Sequence, residues 1–313
     1  MRVLVSRRLT PKVEAALAAF ETHYRESAAP MTLSECRAAL AGFDAVVPTL
    51  GDAFGAEAFT GPIRARLLAN FGVGVNHIDV VAARAAGVTV TNTPGAVTDA
   101  TADIALTLLL MSARRAGEGE RFLRAGHWQG WQPTQLLGQH VSGKSLGVIG
   151  MGRIGRAVAR RAHFGFGMQV RFFNRSALPD PGLPARQVET LAEAMAADFV
   201  VVAVPGGAGN WHLIDRAALA AMPAHGHFIN ISRGDVVDEG ALIAALEAGQ
   251  IAGAGLDVYE HEPDVPARLI ALENVTLLPH LGTAAEEVRD GMGLMVVANL
   301  VAFAAGQTLP NPV

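Results

Sequence analysis

The feature that most constrains this 313-residue chain is Gly150-Met151-Gly152-Arg153-Ile154-Gly155. It follows the apolar run Leu146-Gly147-Val148-Ile149 directly and opens a helical run from Arg153 to Ala162. Strand, three-glycine turn and helix in that order begin a βαβ unit on a parallel sheet. Gly150 makes the tight turn, Gly152 lets the backbone approach a ligand, and Gly155 lets the helix pack close. The exposed N–H groups and positive dipole end of the helix then suit phosphates, so the turn reads as a dinucleotide site. Its mid-chain position predicts that the nucleotide domain is inserted within another domain.

The rest of the chain fits that frame. Short apolar runs alternate with helical patterns, the signature of a parallel α/β sheet. Strands are predicted at Val3–Val5, Ala45–Pro48, Leu67–Phe71, Val88–Thr91, Leu146–Ile149, Val170–Phe173, Phe199–Val204, His227–Ile231, Ala254–Val258 and Val275–Leu278. Two long helices, about Thr98–Arg115 and Ala284–Ala304, interrupt the rhythm and read as crossovers between domains. The expected architecture is two Rossmann-like, doubly wound parallel-sheet domains. Residues 1–97 with 283–313 form the substrate-binding one, and residues 98–282 form the nucleotide-binding one inserted into it.

Composition excludes several classes. A net charge of −4 leaves no basic footprint for nucleic acid. The longest apolar stretch, Ile104 to Met111, falls far short of the roughly 20 residues a membrane span needs. The N-terminal apolar run is too short for a signal peptide, and the single cysteine, Cys36, makes no internal disulfide. A cytoplasmic protein with no membrane or nucleic-acid partner and no metal is expected.

The second strand of the nucleotide domain ends in Asn174-Arg175-Ser176, and Asn174 stands 19 residues past Gly155. An acidic residue near this point would accept the ribose hydroxyls of NAD and repel a 2′-phosphate. Asn174 is neutral, Arg175 offers a cationic fork and Ser176 a hydroxyl, which favours NADP(H). The plainer alternative is that Arg175 covers the surface while NAD(H) binds.

Three polar residues follow strands in the second half of this domain: Arg233, Glu262 and His280. The carboxyl ends of the strands of an open α/β sheet line the ligand crevice, so these side chains can converge. Arginine grips a carboxylate bidentately, histidine delivers a proton near neutral pH, and a carboxylate beside it favours imidazolium. That is the chemistry for reducing a 2-oxo acid by hydride. Taken singly, the histidine reads as a structural hydrogen-bonder, the Arg-Gly pair as a turn and Glu262-Pro263 as a surface loop. Their shared position at strand ends favours the functional reading.

The motifs together resemble the D-isomer-specific 2-hydroxyacid dehydrogenases over nearly the whole chain. The matching stretches are Phe71 to Asp79, Asn92-Thr93-Pro94-Gly95, Thr98 to Asp103, the glycine turn, Asn230 to Asp235, Gly255-Leu256-Asp257-Val258 and Leu278 to Thr283. The resemblance implies that Arg233 binds substrate, His280 exchanges the proton and Glu262 supports it. It implies that the N–H groups of Val73 and Gly74 hold the substrate carboxylate. Asp257 would then contact the nicotinamide carboxamide, with Thr101 nearby. It also implies a homodimer built largely through the nucleotide domains. Asn174-Arg175-Ser176 and the tryptophan segment His127 to Pro133 look most like the NADP-dependent glyoxylate/hydroxypyruvate reductase branch. There Trp131 would reach the neighbouring subunit's substrate pocket, or pack in the dimer interface.

Two features depart from the family pattern. Pro205-Gly206-Gly207-Ala208-Gly209-Asn210 replaces a leucine-threonine-proline type loop, and His261 precedes Glu262. Pro205 is expected to border the adenosine half of the cofactor. The chain reaches Val313 with no room for the regulatory domain of many phosphoglycerate dehydrogenases. A 2-ketogluconate reductase or phosphite dehydrogenase of the same family is an alternative, separated by pocket residues near Leu50, Phe54 and Trp131. A dinucleotide-sensing, corepressor-like scaffold is an alternative of another class.

Overall fold

The computed structural model describes residues 1–313 in two compact units, Met1–Val97 with Thr283–Val313, and Thr98–Gly282.

The first unit carries strands β1 (Arg2–Val5), β2 (Glu21–Tyr24), β3 (Ala45–Val47), β4 (Leu67–Ala69) and β5 (Thr89–Thr91), with helices α1 (Pro11–Leu17), α2 (Leu33–Gly42) and α3 (Val80–Ala85) between them. All strands are parallel, in the order β2-β1-β3-β4-β5. Central β3 and β4 are wholly buried and purely apolar, as strands covered on both faces must be. The helix Glu286–Ala304 belongs to this unit and lies against α1, where a Cβ on Gly293 would meet Val13 Cγ2 at 2.3 Å. Thr10 Oγ1 donates to Asp290 at 2.6 Å beside that junction.

The second unit runs α4 (Thr98–Ala113), α5 (Ala116–Arg124), β6 (Ser145–Ile149), α6 (Arg153–Phe166), β7 (Gln169–Phe173), β8 (Ala185–Gln187), α7 (Leu191–Met195), β9 (Phe199–Val202), α8 (Arg216–Ala220), β10 (His227–Asn230), α9 (Glu239–Glu247), β11 (Gly253–Leu256), α10 (Ala267–Ile270) and β12 (Val275–Leu277). Its seven parallel strands lie in the order β12-β11-β10-β9-β6-β7-β8. Chain direction across the sheet reverses between β6 and β9, the switch point where open α/β sheets bind ligands. Both faces are apolar. Along β9, Val200 and Val202 enter one core cluster with Phe228 and Leu256, while Phe199 and Val201 enter the other with Val148 and Ile229.

Every strand expected from apolar runs is present, its ends shifted by one or two residues. The helix expected through Arg115 stops at Ala113, because Arg115 adopts a left-handed φ of 52° and becomes the entry residue of α5. Strands β2 and β8 have no counterpart among the expected ones. Both are polar edge strands, Glu-Thr-His-Tyr and Ala-Arg-Gln, with no fully buried residue.

Candidate functional site

The glycine turn lies at the switch point of the second unit. Gly150 has φ +96°, and a Cβ on Gly155 would sit 2.0 Å from the Gly150 carbonyl oxygen, so only glycine lets α6 start there. Gly152 is the opposite case: nothing lies within 4 Å of where its Cβ would be. No side chain caps α6, so the first N–H groups of this 14-residue helix face an open cradle. Arg153 is exposed at its first turn and Ile154 is half-buried. These residues fit a dinucleotide phosphate. Asn174 Oδ1 accepts the Met151 N–H at 2.8 Å and so braces the turn from the end of β7. Arg175 and Ser176 are exposed beyond it, and Arg175 Nη1 lies 3.6 Å from the Cβ position of Gly209. Pro205 is exposed at the end of β9, its carbonyl accepting from Asn210 Nδ2 at 2.8 Å.

Arg233, Asp257, Glu262 and His280 all follow carboxyl ends of the neighbouring strands β10, β11 and β12. His280 Nδ1 and Glu262 Oε2 are 2.8 Å apart, and each side chain is 28% exposed, so the pair is partly shielded yet reachable. Burial works against ionisation of Glu262. The hydrogen bond and charge of His280, the Tyr259 N–H and the charge of Arg233 outweigh it, and the carboxyl is held below its ordinary value. Burial likewise pulls the Arg233 guanidinium down against the charges of Glu262 and Asp235. Glu262 is thus the electrostatic link between the arginine and the imidazole.

His280 has a left-handed φ of 54°, which costs a non-glycine residue free energy unless the surroundings fix it. Here its N–H donates to the Asp257 carbonyl at 3.0 Å. The next two amides, of Leu281 and Gly282, donate to Asp257 Oδ1 and Oδ2 at 2.6 and 2.7 Å. Burial raises Asp257 above its ordinary value despite those two donors. Thr101, buried, donates to the Gly282 carbonyl at 3.1 Å from α4. The Arg233 carbonyl accepts from Asn230 Nδ2 at 3.0 Å. A Cβ on Gly234 would fall 1.9 Å from the Tyr259 carbonyl, which explains the glycine after the arginine. Asn230 and Tyr259, which sequence reasoning did not single out, are therefore what hold Arg233 and Glu262 in place. Their nearness to those two residues in the chain was the available signal.

In the first unit, Val73 and Gly74 follow β4. Their carbonyls accept from Asn92 Nδ2 at 2.9 Å and Asn70 Nδ2 at 3.0 Å, while their N–H groups donate to no protein atom. Leu50 is 40% exposed just past β3, whereas Phe54 is wholly buried and part of the core. Trp131, in the second unit, is 82% exposed.

A cavity of about 400 Å³ opens elsewhere in the second unit, lined by Ser112, Gln139, His227 and Glu273. It faces the amino ends of β10–β12, opposite the carboxyl ends that carry the residues above, so it is no part of this site.

Comparison with known proteins places the chain among relatives of one family. Residues 106–282 match the D-isomer specific 2-hydroxyacid dehydrogenase, NAD binding domain, family. A glyoxylate reductase of Thermococcus kodakarensis is 45% identical over 276 residues, 86% of this chain and 82% of the relative. The crystal structure of the NADPH-dependent glyoxylate/hydroxypyruvate reductase of Sinorhizobium meliloti with NADP and malonate superposes with a TM-score of 0.88 at 36% identity. It covers 100% of this chain and 96% of that one. A glyoxylate reductase from Paecilomyes thermophila gives a TM-score of 0.86 at 33% identity, covering 100% and 98%. Fold, site chemistry and relatives agree: the chain belongs to the D-isomer-specific 2-hydroxyacid dehydrogenase family.

Proposed function

We propose that the protein is a reductase of a short 2-oxo acid, glyoxylate or hydroxypyruvate, that prefers NADPH, and that it works as a cytoplasmic homodimer. The observation that carries the reading is the His280–Glu262 pair beside Arg233 at the strand ends of a dinucleotide-binding sheet. The named activities of the Thermococcus and Sinorhizobium relatives support it.

In this reading the cradle of Gly150, Gly152, Arg153, Ile154 and Gly155 holds the pyrophosphate. Thr101 and Asp257 lie at the nicotinamide end, Pro205 at the adenosine end, and Asn174, Arg175 and Ser176 at the 2′-phosphate. When bound, the cofactor supplies the hydride. Arg233 pairs with the substrate carboxylate or carbonyl, and the free amides of Val73 and Gly74 suit the carboxylate. Leu50 and Trp131 border the substrate. His280, its Nδ1 held by Glu262, presents Nε2 and donates the proton to the carbonyl oxygen as the alcohol forms. Glu262 remains anionic through neutral pH, so it stabilises the imidazolium required for that donation.

A panel of 2-oxo acids, measured as kcat/KM with NADPH and with NADH, tests the reading. Glyoxylate or hydroxypyruvate with NADPH is expected to rank first. A higher value for 2-ketogluconate, or for phosphite oxidation, would reassign the substrate, and a higher value with NADH would overturn the cofactor preference. Binding of NADPH without turnover of any of them would favour a sensing scaffold.

A further inference from the structure

Asp235 lies two residues past Arg233, at the end of the Asn230 to Asp235 stretch, and has no role in the reading above. Its Oδ2 accepts the Gly207 N–H at 2.9 Å, whereas its Oδ1 is buried with no partner. Arg233 Nε is also buried with no partner, and Nη1 folds back onto the carbonyl of the preceding Ser232 at 2.7 Å. One of these orphaned atoms is a cationic donor and the other an anionic acceptor. They flank one point in space: a Cβ on Gly206 would lie 2.8 Å from Asp235 Oδ1, 2.7 Å from Arg233 Cγ and 2.9 Å from Arg233 Cβ. Any side chain at position 206 would wedge the two apart, so the unusual glycine loop is what lets them approach. An unpaired buried polar atom is destabilising, the more so if charged, so two complementary ones side by side call for a state in which they pair.

We propose that Asp235 is a positioning residue for Arg233. Asp235 Oδ1 accepts Arg233 Nε–H when a substrate anion draws the guanidinium away from the Ser232 carbonyl. Both Nη groups are then aimed at the substrate while the stem of the arginine is fixed from behind. The same carboxylate ties down Gly207, so the loop after β9 and the substrate arginine are held by one side chain. The inference rests on the reading of Arg233 as the substrate-binding arginine.

The test is a double-mutant cycle with glyoxylate at saturating NADPH. Asp235→Asn and Asp235→Ala are each made in the wild type and in Arg233→Met, which has no donor at the ε position. NADPH affinity is measured separately by fluorescence titration without substrate. In the wild-type background, Asp235→Asn should raise the KM for glyoxylate about threefold and Asp235→Ala about tenfold or more, with kcat changed less than about threefold. NADPH affinity should stay within about twofold, and both Asp235 effects on kcat/KM should largely vanish in Arg233→Met. Unchanged KM in both Asp235 variants, or equal losses in the two backgrounds, overturns the proposal. If Asp235→Ala fails to fold, Asp235→Asn decides alone, since it keeps the volume and the acceptor for Gly207. A wild type that does not reduce glyoxylate, or an Arg233→Met variant with unaltered KM, removes the underlying reading and this one with it. An Arg233-sensitive, Asp235-insensitive KM removes this one only.

Discussion

The two nitrogens of His280 have different surroundings: Nδ1 is fixed on Glu262 and Nε2 meets no protein partner. In the proposed reading that division suits a proton donor, in a residue whose sequence context, a Pro-His pair after a strand, equally describes a structural hydrogen-bonder. His280→Ala should therefore lower kcat for glyoxylate reduction by about 10²–10⁴, read from steady-state rates; near-normal turnover would remove His280 from the mechanism. Glu262→Gln keeps the hydrogen-bond geometry but not the charge. Because Glu262 is held below its ordinary value, the wild type carries this anion through neutral pH. Without it the imidazolium loses its partner, and reductive kcat should fall about tenfold or more. An unchanged kcat would contradict the pairing. Arg233→Lys should raise KM about tenfold or more, since an ammonium cannot reproduce a two-pronged grip. At this scale the sequence told which residue types would meet. It could not tell that Asp257 turns a carboxylate oxygen on each of two backbone amides to hold His280 at its left-handed φ, because hydrogen bonds across the sheet leave no mark in local pattern.

Among the elements, the strand–turn–helix at Gly150 was the most legible, since each glycine answers a distinct steric demand. Gly155→Ala places a Cβ against the backbone of Gly150, which no side-chain rotation can relieve. It should destabilise the protein by about 1–3 kcal/mol and weaken NADPH binding; an unchanged urea midpoint would contradict that packing. Asn174, to which the proposed reading gives a part in cofactor choice, also braces the turn through Met151. Aspartate can accept that same N–H, so Asn174→Asp combined with Arg175→Ser should shift the NADPH/NADH ratio of kcat/KM toward NADH without unfolding the turn. The less legible elements were β2 and β8, polar edge strands whose pairing comes only from the neighbouring strand. The break at Arg115 was hidden for a related reason. Helical periodicity continues past Ala113, but the Ala113 carbonyl accepts the distant Gln139 N–H at 2.7 Å, which no local signal announces.

For the molecule as a whole, both sheets were foreseeable because central strands such as β3, β4 and β9 are apolar on both faces, as parallel sheets favour. Their strand orders were not, since they depend on which loops cross which edge. One buried group gives global stability a pH dependence. His227 opens β10, is 5% exposed, and shares a 2.7 Å hydrogen bond with Ser112. Burial, aided by the charge of His225, pushes it from 6.5 down to about 4. Below pH 6.5 the unfolded chain takes up a proton that the folded chain refuses, so stability should decline as pH falls from 6.5 to 4. The loss should approach about 3 kcal/mol, and His227→Gln should flatten the slope of urea midpoint against pH. An equal slope in the variant would place the sensitivity elsewhere.

The central claim, hydride delivery to a short 2-oxo acid, is tested most directly with NADPH deuterated at the transferable C4 position and glyoxylate as acceptor. Glycolate should carry one deuterium at C2 for each NADPH consumed, over many turnovers per subunit. Oxidation of NADPH without labelled glycolate, or no turnover at all, would contradict it.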